Sequence, residues 1–182
     1  MQLNQFKRFI IGLLGMLLML SAVSKTHSQS LLDTTFNTST NCTVRSMVVQ
    51  PDGKILISGC FTNVDGLPRN NIALLNADGT VDTAFNPNTN GDFVGAIATQ
   101  SDGKILISSY TSGGRQPYVG FARLNADGTL DVAFNAYSSS NHNAIAVQLD
   151  GKVIIGGDFN NVGGQQRNSI ARLNADGTLD TT

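Results

Sequence analysis

A segment that returns every 49 residues constrains this chain more than its composition does. Leu75-Asn-Ala-Asp-Gly-Thr80 stands unchanged at Leu124–Thr129 and at Leu173–Thr178. An Asp-x-x-Phe-Asn element follows it at Asp82–Asn86 and at Asp131–Asn135. The same element precedes the first copy at Asp33–Asn37 and recurs, truncated, at Asp180-Thr-Thr182. Tandem copies at such a spacing are supersecondary units, each burying its faces against its neighbours. The repeat therefore speaks to architecture before it speaks to activity.

Composition narrows the unit to strands. All 13 acidic residues are Asp and none is Glu, and Asp favours turns and avoids helix interiors. After residue 30, helix formers are thin while Val, Ile, Thr, Gly and Asn abound. Each repeat shows four strand-like runs and two tight turns. Thr43–Gln50 enters Pro51-Asp52-Gly53, and Lys54–Phe61 returns; Ser101-Asp102-Gly103 and Leu149-Asp150-Gly151 are the equivalent turns. Gln50-Pro-Asp-Gly53 suits a type I turn closed by a left-handed Gly, a G1 bulge. The second hairpin turns at Ala77-Asp-Gly79, Ala126-Asp-Gly128 and Ala175-Asp-Gly177.

The strand faces indicate how the units pack. Ile55-Leu56-Ile57, Ile105-Leu106-Ile107 and Val153-Ile154-Ile155 are apolar at both parities, as strands covered on both sides are. Small residues recur in the first strand at Ser46, Ala96 and Ala144, which predicts an innermost strand where sheets converge. Val81, Thr83 and Phe85 share one face of the last run, which predicts a half-exposed outer strand. The expectation is an all-β fold: tandem four-stranded antiparallel blades of a β-propeller, with blades at about 41–86, 91–135 and 140–182. Residues 31–37 would be an orphan outer strand able to complete the last blade of a ring. Propellers use about 4–8 blades, so three repeats predict an incomplete ring. The sequence reads as a fragment with further blades in the same chain; the alternative is several chains completing one ring.

Residues 1–28 read as a secretory signal peptide: Lys7 and Arg8, an apolar run Phe9–Leu20, then small residues, with cleavage near 24–28. The run is short for a transmembrane span of about 20 residues. The expected location is secreted, extracellular or at the bacterial cell surface, with no membrane contact after cleavage. Removing the leader leaves nine basic residues against 13 Asp, a net charge of −4, and no basic patch for nucleic acid.

The stretches Gly156–Gly164 (Gly-Gly-Asp-Phe-Asn-Asn-Val-Gly-Gly) and Arg167–Asp180 (Arg-Asn-Ser-Ile-Ala-Arg-Leu-Asn-Ala-Asp-Gly-Thr-Leu-Asp) resemble the delta-60 repeat family. The resemblance covers nearly everything after the leader. It implies an extracellular propeller of secreted bacterial proteins and implies no catalytic residues. The middle repeat departs from the pattern at Gly113–Tyr118.

The two cysteines, Cys42 and Cys60, have no counterpart in the other repeats. Pairing Val49 with Ile55 places Val44 opposite Cys60 and Cys42 one diagonal step away. A disulfide and two buried free thiols both remain open. Ten Asp recur at repeat positions and read as turn or strand residues. Asp-x-Asp-x-Asp calcium clusters are absent, and one mature His with these Cys spacings makes no zinc motif. Residues that break the repeat are Asp65, Asp92, Asp158, His142, Arg45, Arg115, Tyr118 and the cysteines. No Gly-x-Ser-x-Gly elbow accompanies His142. Asp92 and Asp158 as a glycosidic carboxylate pair are outweighed by a solvated-loop reading. Arg69, Asn70, Arg167 and Asn168 match between repeats and are the loop-face candidates, against a plainer role holding a neighbouring turn. No cofactor and no metal are expected. The function expected is a secreted, non-catalytic propeller module binding protein or glycan through its loop faces. The alternative is a propeller segment of a larger secreted enzyme, a hydrolase or lyase, with catalysis elsewhere.

Overall fold

Strong turn chemistry and apolar central strands fold the repeats into three antiparallel sheets. The structure is a computed structural model that describes residues 33–89, 91–110, 120–134, 136 and 141–182. The leader (1–28), the departure at 113–118 and residues 31 and 32 lie outside the described residues, so Arg115 and Tyr118 do too. Thr35–Thr182 form one unit. The first blade holds β1 (Val44–Val49), β2 (Ile55–Gly59) and β5 (Ile72–Leu75), with a two-residue hairpin, β3 (Asn63–Val64) and β4 (Leu67–Pro68), ahead of β5. The second holds β6 (Phe93–Thr99), β7 (Ile105–Tyr110) and β8 (Gly120–Leu124). The third holds β9 (Asn141–Val147), β10 (Val153–Asp158) and β13 (Ile170–Leu173), with β11 (Asn161–Val162) and β12 (Gln165–Gln166) as its small hairpin. The sheet orders β1-β2-β5, β6-β7-β8 and β9-β10-β13 are simple meanders.

The Asp-Gly turns form as their sequence dictates. Gly53 N donates to Gln50 O at 2.9 Å, Gln50 N to Lys54 O at 2.8 Å, and Gly53 sits at φ 83°, where a Cβ would be strained. Asp52 Oδ1 accepts from Lys54 N at 3.0 Å, closing an Asx turn.

Blades stack face to face, and β1, β6 and β9 lie side by side as the converging strands. Leu56, Ile72 and Leu74 of the first blade meet Ile97, Ile105 and Ile107 of the second. Leu106 and Phe121 meet Val153, Ile155 and Leu173 of the third. Equivalent positions measure what a neighbour covers. Ile97 is 5 % exposed against 65 % for Met47, and Ile72 is fully buried against 64 % exposure for Ile170. The three described blades form an all-β propeller segment whose ring is not closed.

One expectation needs correction. The fourth run is not a ladder strand: it touches its blade through the single bridges Leu75↔Val81, Leu124↔Leu130 and Leu173↔Leu179, leaving three-stranded sheets. The cause is local, because Asp82 Oδ1 accepts from Ala84 N at 2.9 Å and turns the chain away. The Phe of the element then leaves its own blade and packs on the next one's turn. A Cβ on Gly128 would lie 3.1 Å from the Phe85 ring, and one on Gly177 would lie 2.8 Å from Phe134. Asp-x-x-Phe-Asn is thus an inter-blade clasp. The expected outer strand 31–37 begins at residues outside the described ones and has no closing blade here to pair with; its described part, 33–37, lies in no ladder of these three blades. Phe36 covers Gly79 as Phe85 covers Gly128, and Thr38 Oγ1 donates to Gly79 O at 2.6 Å. Asp65 Oδ1 accepts from Ser39 N and Oγ at 2.7 and 3.0 Å, which gives this repeat-breaking Asp a structural role.

Candidate binding pocket at the bulged ends of the inner strands

Most of the repeated polar side chains are consumed inside the scaffold. Asp82, Asp131 and Asp180 take Lys54, Lys104 and Lys152 at 2.7, 2.8 and 2.8 Å. Arg123 Nε adds a second cation to Asp131 at 2.9 Å, and Arg172 Nε one to Asp180 at 2.6 Å. The lysine hydrogen bond is the main cause that holds all three carboxyls below their ordinary range, and its counterpart raises Lys54. Arg123 Nη1 also crosses to the third blade, donating to Ala175 O at 2.6 Å. Asp78, Asp127 and Asp176 each accept from the Thr two residues on, and its hydroxyl lowers their titration.

The loop-face candidates separate. Arg69 is buried; its Nη1 donates to Pro68 O at 2.7 Å and its Nη2 to Asp82 O at 3.3 Å. Asn70 Nδ2 donates to Asn88 Oδ1 at 2.7 Å, tying two loops together. Arg167 is half-buried, its Nη1 on Gln166 O at 2.8 Å, while Asn168 is exposed. The structure does not gather these four into one site. Cys42 and Cys60 form a disulfide with Cα atoms 5.6 Å apart. Val49 pairs with Ile55 as expected, but an extra residue at Arg45 shifts the register beyond it, so Val44 faces Gly59 and not Cys60. A Cβ on Gly59 would collide with Thr43 O, so only Gly fits beside the bulge.

The same bulge recurs in all three inner strands. Register breaks leave Arg45 unpaired in β1, Gly95 and Ala96 in β6, and Asn143 in β9. Hydroxyls replace ladder partners there: Ala96 N donates to Ser108 Oγ, and Ser58 Oγ donates across blades to Gly95 O, both at 2.9 Å. The three bulges converge on a pocket of about 320 Å³. Phe93 and Tyr110 form its aromatic wall, their rings stacked at 5.3 Å and 21°. The Arg45 guanidinium lies 4.3 Å from the Phe93 centroid. Ser109 lines the same wall, and its buried Oγ has no hydrogen-bond partner among the described residues.

Sequence reasoning singled out Arg45 and missed Phe93, Tyr110 and Asn143. The signal lay in the repeat alignment. The cross-strand pair Phe93–Tyr110 stands where the third blade pairs Asn141 with Asp158 and the first has Thr43 beside Cys60. Asp92 N donates to Tyr110 O at 2.8 Å beside this pair. Among the described residues, no group of three His, Cys, Asp or Glu side chains could hold a metal ion.

A family model described as "Domain of unknown function (DUF5122) beta-propeller" matches residues 50–85, 100–134 and 148–182, more than half of the chain. Neither the curated proteins nor the solved structures compared with it give a significant match.

Proposed function

Because the chain belongs to the DUF5122 β-propeller family, a description that assigns no activity, we propose that it is a non-catalytic binding module. On this reading it is secreted by a bacterium, is of delta-60 type, and recognises protein or glycan at the bulged end of its inner strands. One observation carries the reading. Repeated charges are spent within the scaffold, whereas Arg45, Phe93, Tyr110 and Asn143 break the repeat and meet at one pocket. Variation on a repeated scaffold marks recognition, since framework positions recur while contacts with a ligand need not. Lys7, Arg8 and the apolar run Phe9–Leu20 support export. The carboxylates Asp82, Asp131 and Asp180 are held ionised by cations, which suits structure and disqualifies them as proton donors near neutral pH.

The test has two arms. Fusing residues 1–28 to a reporter should export it; retention inside the cell counts against secretion. The purified chain, screened against immobilised glycans and surface proteins, should bind saturably without altering what it binds. Turnover of a bound saccharide would replace the module with an enzyme, and absence of any binding would end the proposal.

A further inference from the structure

We propose that the pocket is a saccharide site that takes one or two sugar rings, with Arg45 and Asn143 as its polar arms and the half-exposed Tyr110 ring, backed by Phe93, as its platform. The inference rests on the binding-module reading and commits it to glycan.

At the middle bulge the pocket is lined by a residue without a side chain. Arg45, Gly95 and Asn143 occupy the same position in successive blades, so Gly95 leaves an open floor between two long polar neighbours. A volume of about 320 Å³ sits at the small end of ligand pockets, about 300–1,000 Å³. That is the size of a small ligand. The wall chemistry narrows the class. Pockets for apolar cofactors are lined mainly by hydrocarbon. Here Ser46, Ser108 and Ser109 join Arg45 and Asn143 around just two aromatic rings. A pyranose matches that division. Its axial C–H face is apolar and weakly positive, so it lies against the negative face of an aromatic ring. Its hydroxyl rim is polar in the ring plane, where a guanidinium fork donates and a carboxamide both donates and accepts.

Preorganisation supports the assignment. Stacking on Phe93 at 4.3 Å orders the Arg45 guanidinium before a ligand arrives, which reduces the entropy lost on binding. Covalent closure of Cys42 to Cys60 anchors the strand end next to Arg45. The buried Ser109 hydroxyl, without a partner among the described residues, offers a polar group to a ligand that reaches the wall.

The test uses the ¹⁵N-labelled chain with a probe panel of cellobiose, maltose, lactose, chitobiose and glucuronate. At least one probe should saturably shift both the Gly95 amide and the Asn143 side-chain amide. Arg45→Ala should weaken that probe about tenfold or more, the equivalent of losing one charged hydrogen bond. Arg45→Lys should weaken it as well, because an ammonium keeps the charge but not the planar fork. Asn143→Ala gives an independent loss; both residues are exposed, so neither change empties a blade junction. Unchanged affinity in Arg45→Ala and Asn143→Ala, or shifts confined to other residues, overturns the site and the placement of recognition at the bulged strand ends, and leaves only a module that binds elsewhere. A polypeptide that occupies Gly95 and Asn143 while no sugar does overturns the saccharide class alone. Failure of every sugar and every protein removes both this site and the module.

Discussion

The clasp between blades yields a graded mutational series with its own control. Phe36, Phe85 and Phe134 make equivalent contacts with Gly79, Gly128 and Gly177, yet they are 39 %, 3 % and 9 % exposed. Burying a whole Phe side chain contributes about 1.5–3 kcal/mol, and Phe→Ala in a closed core costs about 3–5 kcal/mol once the cavity is included. Phe85 joins Val94, Ile97 and Ile105 in the first junction, so Phe85→Ala should cost about 3–4 kcal/mol. Phe134 adds an edge contact with Phe121 at 5.7 Å and Arg123 at 4.3 Å from its ring. These are worth about 0.5–1.5 and 0.5–2 kcal/mol, which puts Phe134→Ala at about 4–5 kcal/mol despite its slightly greater exposure. Phe36 buries about three-fifths of its surface and leaves no closed cavity, so Phe36→Ala should cost about 1–2 kcal/mol. Urea unfolding followed by far-ultraviolet circular dichroism measures the series. If Phe36→Ala costs as much as Phe85→Ala, or if Phe85→Ala costs under about 1 kcal/mol, the element is not the inter-blade clasp described.

Replacing Cys42 and Cys60 by Ser should lower stability by about 3 kcal/mol, the value for a loop of this length, with the pair 18 residues apart. An unchanged urea midpoint with and without reductant would contradict that. Asp131→Asn leaves Arg123 and Lys104 facing a neutral group beside a buried guanidinium. A loss of about 3 kcal/mol is expected, read by thermal unfolding. The pH dependence follows from the lowered titration of Asp82 and Asp131. Unfolding frees these carboxyls to bind protons at their ordinary pKa of about 3.9. Their stabilisation is therefore complete above that range and disappears as pH falls through the lower folded values. The unfolding temperature should stay flat from about pH 7 to 5 and drop below about pH 4; a drop already complete at pH 5 would mean that these pairs are not the acid-sensitive element.

Much of the scaffold was legible because its determinants act over a few residues. Gln50–Gly53 and its equivalents specify their turns through the Asp side chain two residues before Lys54, Lys104 and Lys152, and the Val49–Ile55 pairing follows from turn length. The alternating small residues of the inner strands also pointed to the converging edge. The Arg45 bulge was not legible, since nothing in Thr43–Ser46 distinguishes an extra residue from a regular ladder. Asp-x-x-Phe-Asn was misjudged as a strand for a related reason. Its alternation fits a strand, but Asp82 prefers its own i+2 amide, and Phe85 finds a deeper site on the neighbouring blade.

Sequence alone determined the repeat, the strand-and-turn alphabet and the antiparallel hairpins, because backbone turns and side-chain alternation are local properties. Only tertiary structure decided that Arg45, Phe93, Tyr110 and Asn143, drawn from three blades, would line one cavity. Their meeting depends on how far each blade is rotated and shifted against the next. That placement is set by the complementarity of whole faces across the junctions, and no short stretch of chain encodes it.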